Sequence, residues 1–207
     1  MAKSPSKKKI KIDMSIFDGI YQKNPVFTSG LVIAPAVAAA ITVKNAVALI
    51  FAFSLISFFA VIISSFVPRD IVYAVRIILY TFIAALVYVP VALFTKYIFP
   101  SEFSALGIFI PLLIVNSFIT SKTELRFFRK TKKDMLVDVI MHILGFDLSV
   151  LIFSFLREIF CFGALGDRIL GIPVTFPILA LPFGGFIFLG LLSALFRKIQ
   201  LIVRRNN

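Results

Sequence analysis

The chain has 207 residues, of which 60% are hydrophobic and 15% are charged, and its mean hydropathy is +1.02. Values this far from those of soluble domains predict an integral membrane protein with one membrane domain. The net charge is +12, but the basic residues lie in the gaps between apolar runs, which favours membrane topology over nucleic-acid binding as their explanation. The single cysteine, Cys161, excludes an intrachain disulfide and a multi-cysteine metal site built from this chain alone.

Both ends of the chain are basic. Residues 1–25 are polar and lysine-rich and predict a cytoplasmic tail, within which residues 10–21 are a candidate amphipathic segment on the membrane surface. Residues 198–207 predict a second cytoplasmic tail, and residues 26–197 predict the membrane domain between the two tails.

Six apolar runs follow the N-terminal tail, each bounded by charge, proline or glycine. A helix needs roughly 20 apolar residues to cross a hydrocarbon core about 30 Å thick. The runs therefore predict an all-α membrane protein with six transmembrane segments, at residues 26–43, 45–67, 71–95, 104–121, 136–162 and 177–197.

The first and fourth runs are the shortest, and they contain Pro35 and Pro111 respectively. A proline inside a helix removes a backbone donor and favours a break. Short interrupted segments at matching places in two three-segment halves indicate an inverted 3+3 repeat with broken first and fourth helices. The alternative is a pair of ordinary helices that tolerate their prolines.

The distribution of lysine and arginine predicts the orientation of these segments. Seventeen basic residues lie in the N-terminal tail, the second and fourth gaps and the C-terminal tail, whereas three lie in the alternate gaps. Because basic loops stay on the cytoplasmic side, both termini and the loop at 122–133 are expected in the cytoplasm. The turn at 163–171 is expected outside.

Some ionisable side chains fall inside the apolar runs, where a charge costs about 2.5–3.5 kcal/mol at the helix centre. They are Arg76, Asp138, His142, Asp147, Arg157 and Glu158. Asp138 and His142 share a helical face, either in the cytoplasmic headgroup zone or toward a cavity. Arg76 is expected to extend toward the cytoplasmic surface. Arg157 and Glu158 are adjacent, so they point in different directions on a helix and need separate partners.

No nucleotide-binding loop, zinc motif or Ser/His/Asp set can be assembled from this sequence. His142 has no second ligand in view, and we expect no metal site. A soluble-type active site is therefore not expected, so any catalytic role would belong to a complex rather than to this chain alone.

Five strings resemble, in order and spacing, the membrane subunits of Rnf complexes, which are relatives of the D and E subunits of sodium-translocating NADH:quinone reductase. The resemblance covers about residues 15–197 and is most specific in the fourth run. It is closest to the E branch of the Rnf subunits, because this N-terminus is expected inside. The strings are Asn24-Pro25-Val26-Phe27, Ala34-Pro35-Ala36 with Asn45, Leu106 to Asn116, Arg157-Glu158-Ile159 and Pro182-Phe183-Gly184-Gly185-Phe186.

The resemblance implies a six-helix inverted-repeat subunit in a prokaryotic plasma membrane. It also implies an antiparallel partner that resembles the Rnf A subunit, further Rnf-type subunits and contact with membrane lipid. In the family, the two broken helices of each partner supply one cysteine apiece, and the four thiolates hold a 2Fe–2S cluster at the midplane. Electrons cross the membrane through this cluster, coupled to sodium or proton export.

This sequence departs from the family pattern at both of its ligand positions. The cysteine before the first-run proline corresponds to Ala34, and the cysteine after the fourth-run asparagine corresponds to Ser117. Alanine has no donor atom and a serine hydroxyl is a poor substitute for a thiolate. We therefore predict no cofactor bound by this chain. The remaining broken-helix candidates are Pro35, Asn45, Pro111 and Asn116.

The predicted function is a membrane subunit of an Rnf/Nqr-type ion-translocating electron transport complex, without iron–sulfur ligands of its own. One alternative is a cluster-less inverted-repeat transporter of an ion or small molecule. Another is a structural subunit whose basic loop, at 122–133, binds an acidic partner or anionic lipid.

Overall fold

The structure is a computed structural model, and it describes residues 19–20, 24–68, 70–115, 117–125, 132–166, 168–169 and 175–206. Most of them are helical. The α-helices are α1 (Ile33–Ala39), α2 (Val43–Ser64), α3 (Tyr73–Ile98), α4 (Pro100–Leu106), α5 (Ser117–Leu125), α6 (Lys132–Phe162) and α7 (Pro182–Asn206). Three short 3-10 helices occupy Gly107–Phe109, Pro111–Leu113 and Pro177–Ala180. After α6, strands β1 (Ala164–Leu165) and β2 (Arg168–Ile169) form an antiparallel hairpin.

Within the described ranges, four helical stretches are long and apolar enough to cross a membrane: Val43–Ser64, Tyr73–Ile98, Met135–Phe162 and Pro182–Val203. A fifth candidate is the pair Pro100–Phe109 and Pro111–Thr120, which is bent by 58° at its break. The predicted all-α fold with several candidate membrane spans is therefore confirmed for the described residues. Six crossings and an inverted repeat remain predictions, as does the division into a membrane domain with two cytoplasmic tails.

The first apolar run contains only the short helix α1, which has seven residues. Turns precede it, and Gly30 and Val32 both have left-handed backbone conformations, with φ of 64° and 59°. The interruption therefore comes before Pro35 rather than at it. Pro35 is the third residue of α1, where a backbone N–H would have no partner within the helix, so the missing donor costs nothing.

Helix α2 lies at the centre of the bundle and packs against both α3 and α6. Its contact faces are rich in small residues, which let neighbouring helices approach closely. Aromatic contacts complete the core. The ring centroid of Phe53 lies 5.5 Å from that of Phe118 in α5 and 3.8 Å from that of Phe146 in α6. The small buried residues of α2 are Ala46, Ala48, Ala52, Ser57, Ala60 and Ser64.

Candidate functional site at the broken helices

The two interrupted segments contact each other. Helix α1 lies against the 3-10 helix Gly107–Phe109, which follows α4. Gly107 has φ 48° and ψ −120°, a combination that side chains with a Cβ rarely adopt, so glycine is required where α4 ends. Pro111 is the first residue of the next 3-10 helix, a position that proline favours.

The two positions that correspond to the family's ligands lie on the surface of the chain. Ala34 is the second residue of α1 and Ser117 is the first residue of α5, and both are exposed. Asn45 is half-buried in the first turn of α2, and its backbone N–H donates to Oγ1 of Thr42 at 3.3 Å. Asn116 lies outside the described residues.

Arg157 is fully buried near the end of α6 and binds the ends of two short helices. The last carbonyl groups of a helix lack partners within it and carry partial negative charge, so a cation is stabilised there. Arg157 donates to two carbonyls at the end of α1 and to three at the end of the 3-10 helix Pro177–Ala180. The acceptors are Val37, Ala40 at 3.5 Å, Leu179 at 2.7 Å, Ala180 at 3.2 Å and Leu181 at 3.3 Å.

Glu158 is also buried, and its partners differ from those of Arg157. Its Oε2 accepts from the backbone N–H of Val43, the first residue of α2, at 2.7 Å. Its Oε1 accepts from the N–H of Gly166 in the hairpin, also at 2.7 Å. A carboxylate at the start of a helix is favourable because the first N–H groups are unpaired. The two charged residues therefore fix α1, the start of α2 and the hairpin to the end of α6.

Two glycines let α7 pass close to this buried arginine. A Cβ on Gly185 would lie 2.7 Å from Nη2 of Arg157 and 2.8 Å from Cγ1 of Val37. A Cβ on Gly184 would lie 2.1 Å from the carbonyl oxygen of Ile178. Real Cβ atoms do not come this close to their neighbours, so the glycine pair of the Pro182-to-Phe186 string is required by packing.

Arg76 in α3 pairs with a carboxylate in α5, and its extension toward the cytoplasmic surface stays a prediction. Its Nε and Nη2 donate to the two carboxylate oxygens of Glu124 at 2.8 and 3.0 Å, and its Nη1 donates to the carbonyl of Ile71 at 3.0 Å. The hydroxyl of Tyr80 also donates to Glu124, at 2.8 Å. A two-point pair between a guanidinium and a carboxylate is stronger than a neutral hydrogen bond. The contact of Arg76 with Ile71 lies toward the start of α3, which is the direction predicted from the sequence. The role of Glu124 had no sequence signal, because it lies 48 residues away from Arg76.

Asp138 and His142 are enclosed by protein rather than exposed to lipid headgroups, with exposed fractions of 2% and 0%. Nδ1 of His142 lies 2.8 Å from the Asp138 carbonyl oxygen and 3.8 Å from its Oδ2. Gly19 packs closely against this part of α6, and a Cβ on Gly19 would lie 2.9 Å from Nδ1 of His142. Along α6, His142 and Arg157 are about 22 Å apart at 1.5 Å per residue, so the structure does not bring these two groups together.

Asn24 anchors the segment before α1, a role that the sequence did not reveal. Its amide nitrogen lies within hydrogen-bonding distance of the Gly145 carbonyl, 3.1 Å, and of the Ser149 hydroxyl, 2.7 Å. Its amide oxygen accepts from the backbone N–H groups of Val26 and Phe27, at 3.0 and 2.9 Å. The Asn24-Pro25 string therefore positions the turn that leads into α1.

Asp147 is half-buried in the middle of α6. The hydroxyl of Ser54 in α2 donates to its two oxygens at 3.1 and 2.9 Å. This contact joins α2 to α6 and includes neither Arg157 nor Glu158.

A family model described as "Rnf-Nqr subunit, membrane protein" matches residues 13–193. The match includes both interrupted segments, the Arg157–Glu158 pair and the glycine pair of α7. The chain belongs to the Rnf-Nqr membrane subunit family. The family resemblance predicted from the sequence strings is therefore confirmed.

Curated relatives of this Rnf-Nqr chain are named as E subunits. The chain is 30% identical over 194 residues to the E subunit of the ion-translocating oxidoreductase complex of Shewanella piezotolerans, covering 86% of this chain and 84% of the relative. It is 31% identical over 181 residues to the E subunit of the Na(+)-translocating ferredoxin:NAD(+) oxidoreductase complex of Acetobacterium woodii, covering 86% of this chain and 91% of the relative. A similar protein of Shewanella oneidensis is 28% identical over 205 residues, covering 92% and 88% of the two chains.

The residues present in this Rnf-Nqr chain do not fit the 2Fe–2S cluster that the family resemblance implies. Ala34 has no donor atom, and Ser117 offers only a hydroxyl. Cys161 is buried at the far end of α6, where its thiol lies 3.9 Å from the Pro177 carbonyl oxygen. Among the described residues, no group of three or more His, Cys, Asp or Glu side chains is placed to hold a metal ion. No electron-transfer step is therefore assigned to this chain.

Proposed function

We propose that this chain is the E-type membrane subunit of an ion-translocating oxidoreductase complex and that it acts there without ligating a cluster. The observation that carries the proposal is the end-to-end similarity to E subunits, at 84% and 91% coverage of two relatives. Similarity over this length includes the helices and both interruptions, rather than one shared motif. The subunit role follows from the relatives, and the lack of a cluster follows from the donor atoms at Ala34 and Ser117.

We also propose that the fold is completed as a six-segment inverted repeat. Its first and fourth segments would be α1 with the turns before it and the bent pair Pro100–Thr120. Support comes from their mutual contact and from the similar way in which each is interrupted. Each has a glycine with positive φ close to the break, Gly30 and Gly107 respectively, and each has a proline in the following helical turn. Interrupted backbone at membrane depth is tolerated where protein encloses it.

The proposed partner surface surrounds Ala34 and Ser117. Several apolar side chains beside the break are exposed, among them Ile108 at 71% and Val115 at 75%. An antiparallel partner that resembles the Rnf A subunit would cover this surface with its own broken helices. The methyl group of Ala34 and the hydroxyl of Ser117 would then contact the partner through packing and hydrogen bonding rather than through iron.

The orientation in the membrane is part of the same proposal. Both termini and the 122–133 loop would face the cytoplasm of a prokaryotic cell, because seventeen of the 22 basic residues lie on that side in a six-segment topology. The end of α6 with its hairpin, where Arg157 and Glu158 lie, would then face outward.

Affinity purification of the tagged full-length chain from its own cell membranes, in a mild detergent, tests the subunit role. We expect a stable complex that contains a chain resembling the Rnf A subunit and further Rnf-type subunits. Recovery of this chain alone, from membranes in which such subunits are present and co-purify with one another, would contradict the proposal. A tagged unrelated multi-pass protein from the same membranes controls for nonspecific association.

A further inference from the structure

The contact between Ser54 and Asp147 lies at the centre of two candidate spans. Asp147 is the thirteenth of the 28 residues of Met135–Phe162, and Ser54 is the twelfth of the 22 residues of α2. At a rise of 1.5 Å per residue, each lies within about 3 Å of the middle of its helix. The two helices place the contact at the same depth independently, which predicts that the carboxyl group lies near the middle of the hydrocarbon core.

A groove on the surface of the chain lies beside this contact. Its volume is about 330 Å³, and it lies between α2 and α6. Six of its lining side chains are apolar, and Ser54 and Asp147 are the polar ones. The apolar residues are Leu55, Phe58, Phe59, Ile140, Ile143 and Leu144. Asp147 thus lies at an apolar groove that is open to the surface of the chain.

No cation neutralises Asp147 within the described part of the chain. Among the side chains that line the groove, contributed by α2 and α6, Asp147 is the one titratable group. The nearest ionisable residue on its own helix is His142, five residues before Asp147. His142 is fully buried beside Asp138 and Phe118. An unpaired carboxylate at this depth is costly, whereas a neutral carboxylic acid is not.

We propose that Asp147 is a proton-binding site at the middle of the membrane, with Ser54 as its hydrogen-bond partner and the groove as its access route. The ligand is a proton rather than a metal cation. Hard cations such as Mg²⁺ and Ca²⁺ take about six or more oxygen ligands, and this site offers only one carboxyl group and one hydroxyl. The inference does not depend on the proposed subunit role, because the site lies within one chain.

Dicyclohexylcarbodiimide labelling of native membranes tests this proposal. The reagent enters through apolar regions and reacts with the protonated carboxyl group: the acid proton moves to a carbodiimide nitrogen, and a carboxyl oxygen bonds to the central carbon. Mass spectrometry of the purified full-length chain would locate the adduct. We expect it on Asp147 at neutral pH, with less labelling as the pH rises and the acid loses its proton.

Two variants and one competition experiment make the outcome specific. Asp147→Asn should abolish the adduct, while Asp138→Asn should leave it unchanged, because Asp138 is a separate carboxyl group that is only 2% exposed. Sodium chloride should not protect Asp147 when compared with choline chloride at the same pH. An unlabelled Asp147 in the wild-type chain, an adduct on Asp138 instead, or protection by sodium would each overturn the proposal. Co-purification of partner subunits is scored separately, so failure of this site and failure of the subunit role are distinguishable.

Discussion

Arg157 in α6 donates a hydrogen bond to the carbonyl oxygen of Val37 in α1. The two residues are 120 positions apart, and the contact joins the longest described helix to the short helix of the first interrupted segment. A helix of seven residues has little stability of its own. The position of α1, and with it the surface around Ala34, therefore depends on this arginine.

Replacing Arg157 should destabilise the chain strongly. In Arg157→Met the buried carbonyl groups at the end of α1 and the partly buried ones at the end of Pro177–Ala180 lose their donor, at a cost of about 3 kcal/mol or more. Arg157→Lys should be intermediate, because an ammonium group cannot match the planar spread of a guanidinium. Thermal unfolding in detergent measures both. Arg197→Met, at an exposed position of α7, is the control and should change the midpoint little.

The effect of a glycine-to-alanine change on stability should depend on its position in α7. Gly185→Ala should destabilise, because its Cβ would meet both Arg157 and Val37, and overpacking of this kind costs about 1–3 kcal/mol. Gly190 has no atom within 4 Å of the corresponding Cβ position. Gly190→Ala should therefore be neutral or stabilising by up to about 1 kcal/mol, through helix propensity. Equal effects of the two substitutions on the unfolding midpoint would contradict the close approach of α7 to Arg157.

The pairing of Arg76 with Glu124 predicts coupling between α3 and α5. Arg76→Met and Glu124→Gln should each lower the unfolding midpoint, and the double variant should lose less than the two single changes combined, because both remove the same interaction. Glu102, an acidic residue in the first turn of α4, provides the comparison. Its change to Gln should combine additively with Arg76→Met.

Restoring the two family cysteines tests whether only the ligands are missing. We expect Ala34→Cys with Ser117→Cys to give partial iron incorporation at best, because the groups that surround a metal site also position and tune it. Iron and sulfide content of the anoxically purified complex, with visible absorption, measures the result. In the unmodified complex, loss of a cluster signal on Ser117→Ala or Cys161→Ala would show that this chain does ligate iron.

Impermeant thiol reagents test the orientation, in a Cys161→Ser background. A cysteine at Ser101, exposed at the start of α4, should be labelled from outside intact cells. A cysteine at Lys198, exposed in the last part of α7, should be labelled only after the cells are opened. Labelling of Lys198→Cys from outside would reverse the predicted topology.

The long helices were predictable from sequence because hydrophobic length is a local property. The runs at 45–67, 71–95 and 136–162 each contain most of a candidate span of the structure. The sites of interruption were harder to predict. Pro90 lies inside α3 without ending it, so a proline alone does not decide where a helix breaks. Left-handed backbone at Gly30 and Val32 marks the first interruption, and Val32 gives no sequence signal for that conformation.

Partners of the charged residues could not be predicted, because pairing joins segments that are distant along the chain. The adjacency of Arg157 and Glu158 did indicate that each needs its own partners. It did not indicate that Arg157 would donate to backbone carbonyls at two helix ends. Every residue has a backbone carbonyl, so the sequence does not show which of them accept from a side chain. The second glycine of the α7 pair was visible only as part of a string, and its packing against Arg157 explains why it is there.

In the most apolar 18 residues of the α7 span, only 6% are buried within the chain, whereas the corresponding share in α2 is 50%. Its contacts with the rest of the molecule are concentrated near α1 and Pro177–Ala180, with the Phe27–Phe196 ring pair at 5.1 Å as one of them. A helix held this loosely gains stability from whatever binds the folded chain. We therefore expect the cellular half-life of the chain to depend on co-expression of its neighbours, so that an orphaned copy is degraded by membrane proteolysis before an assembled one.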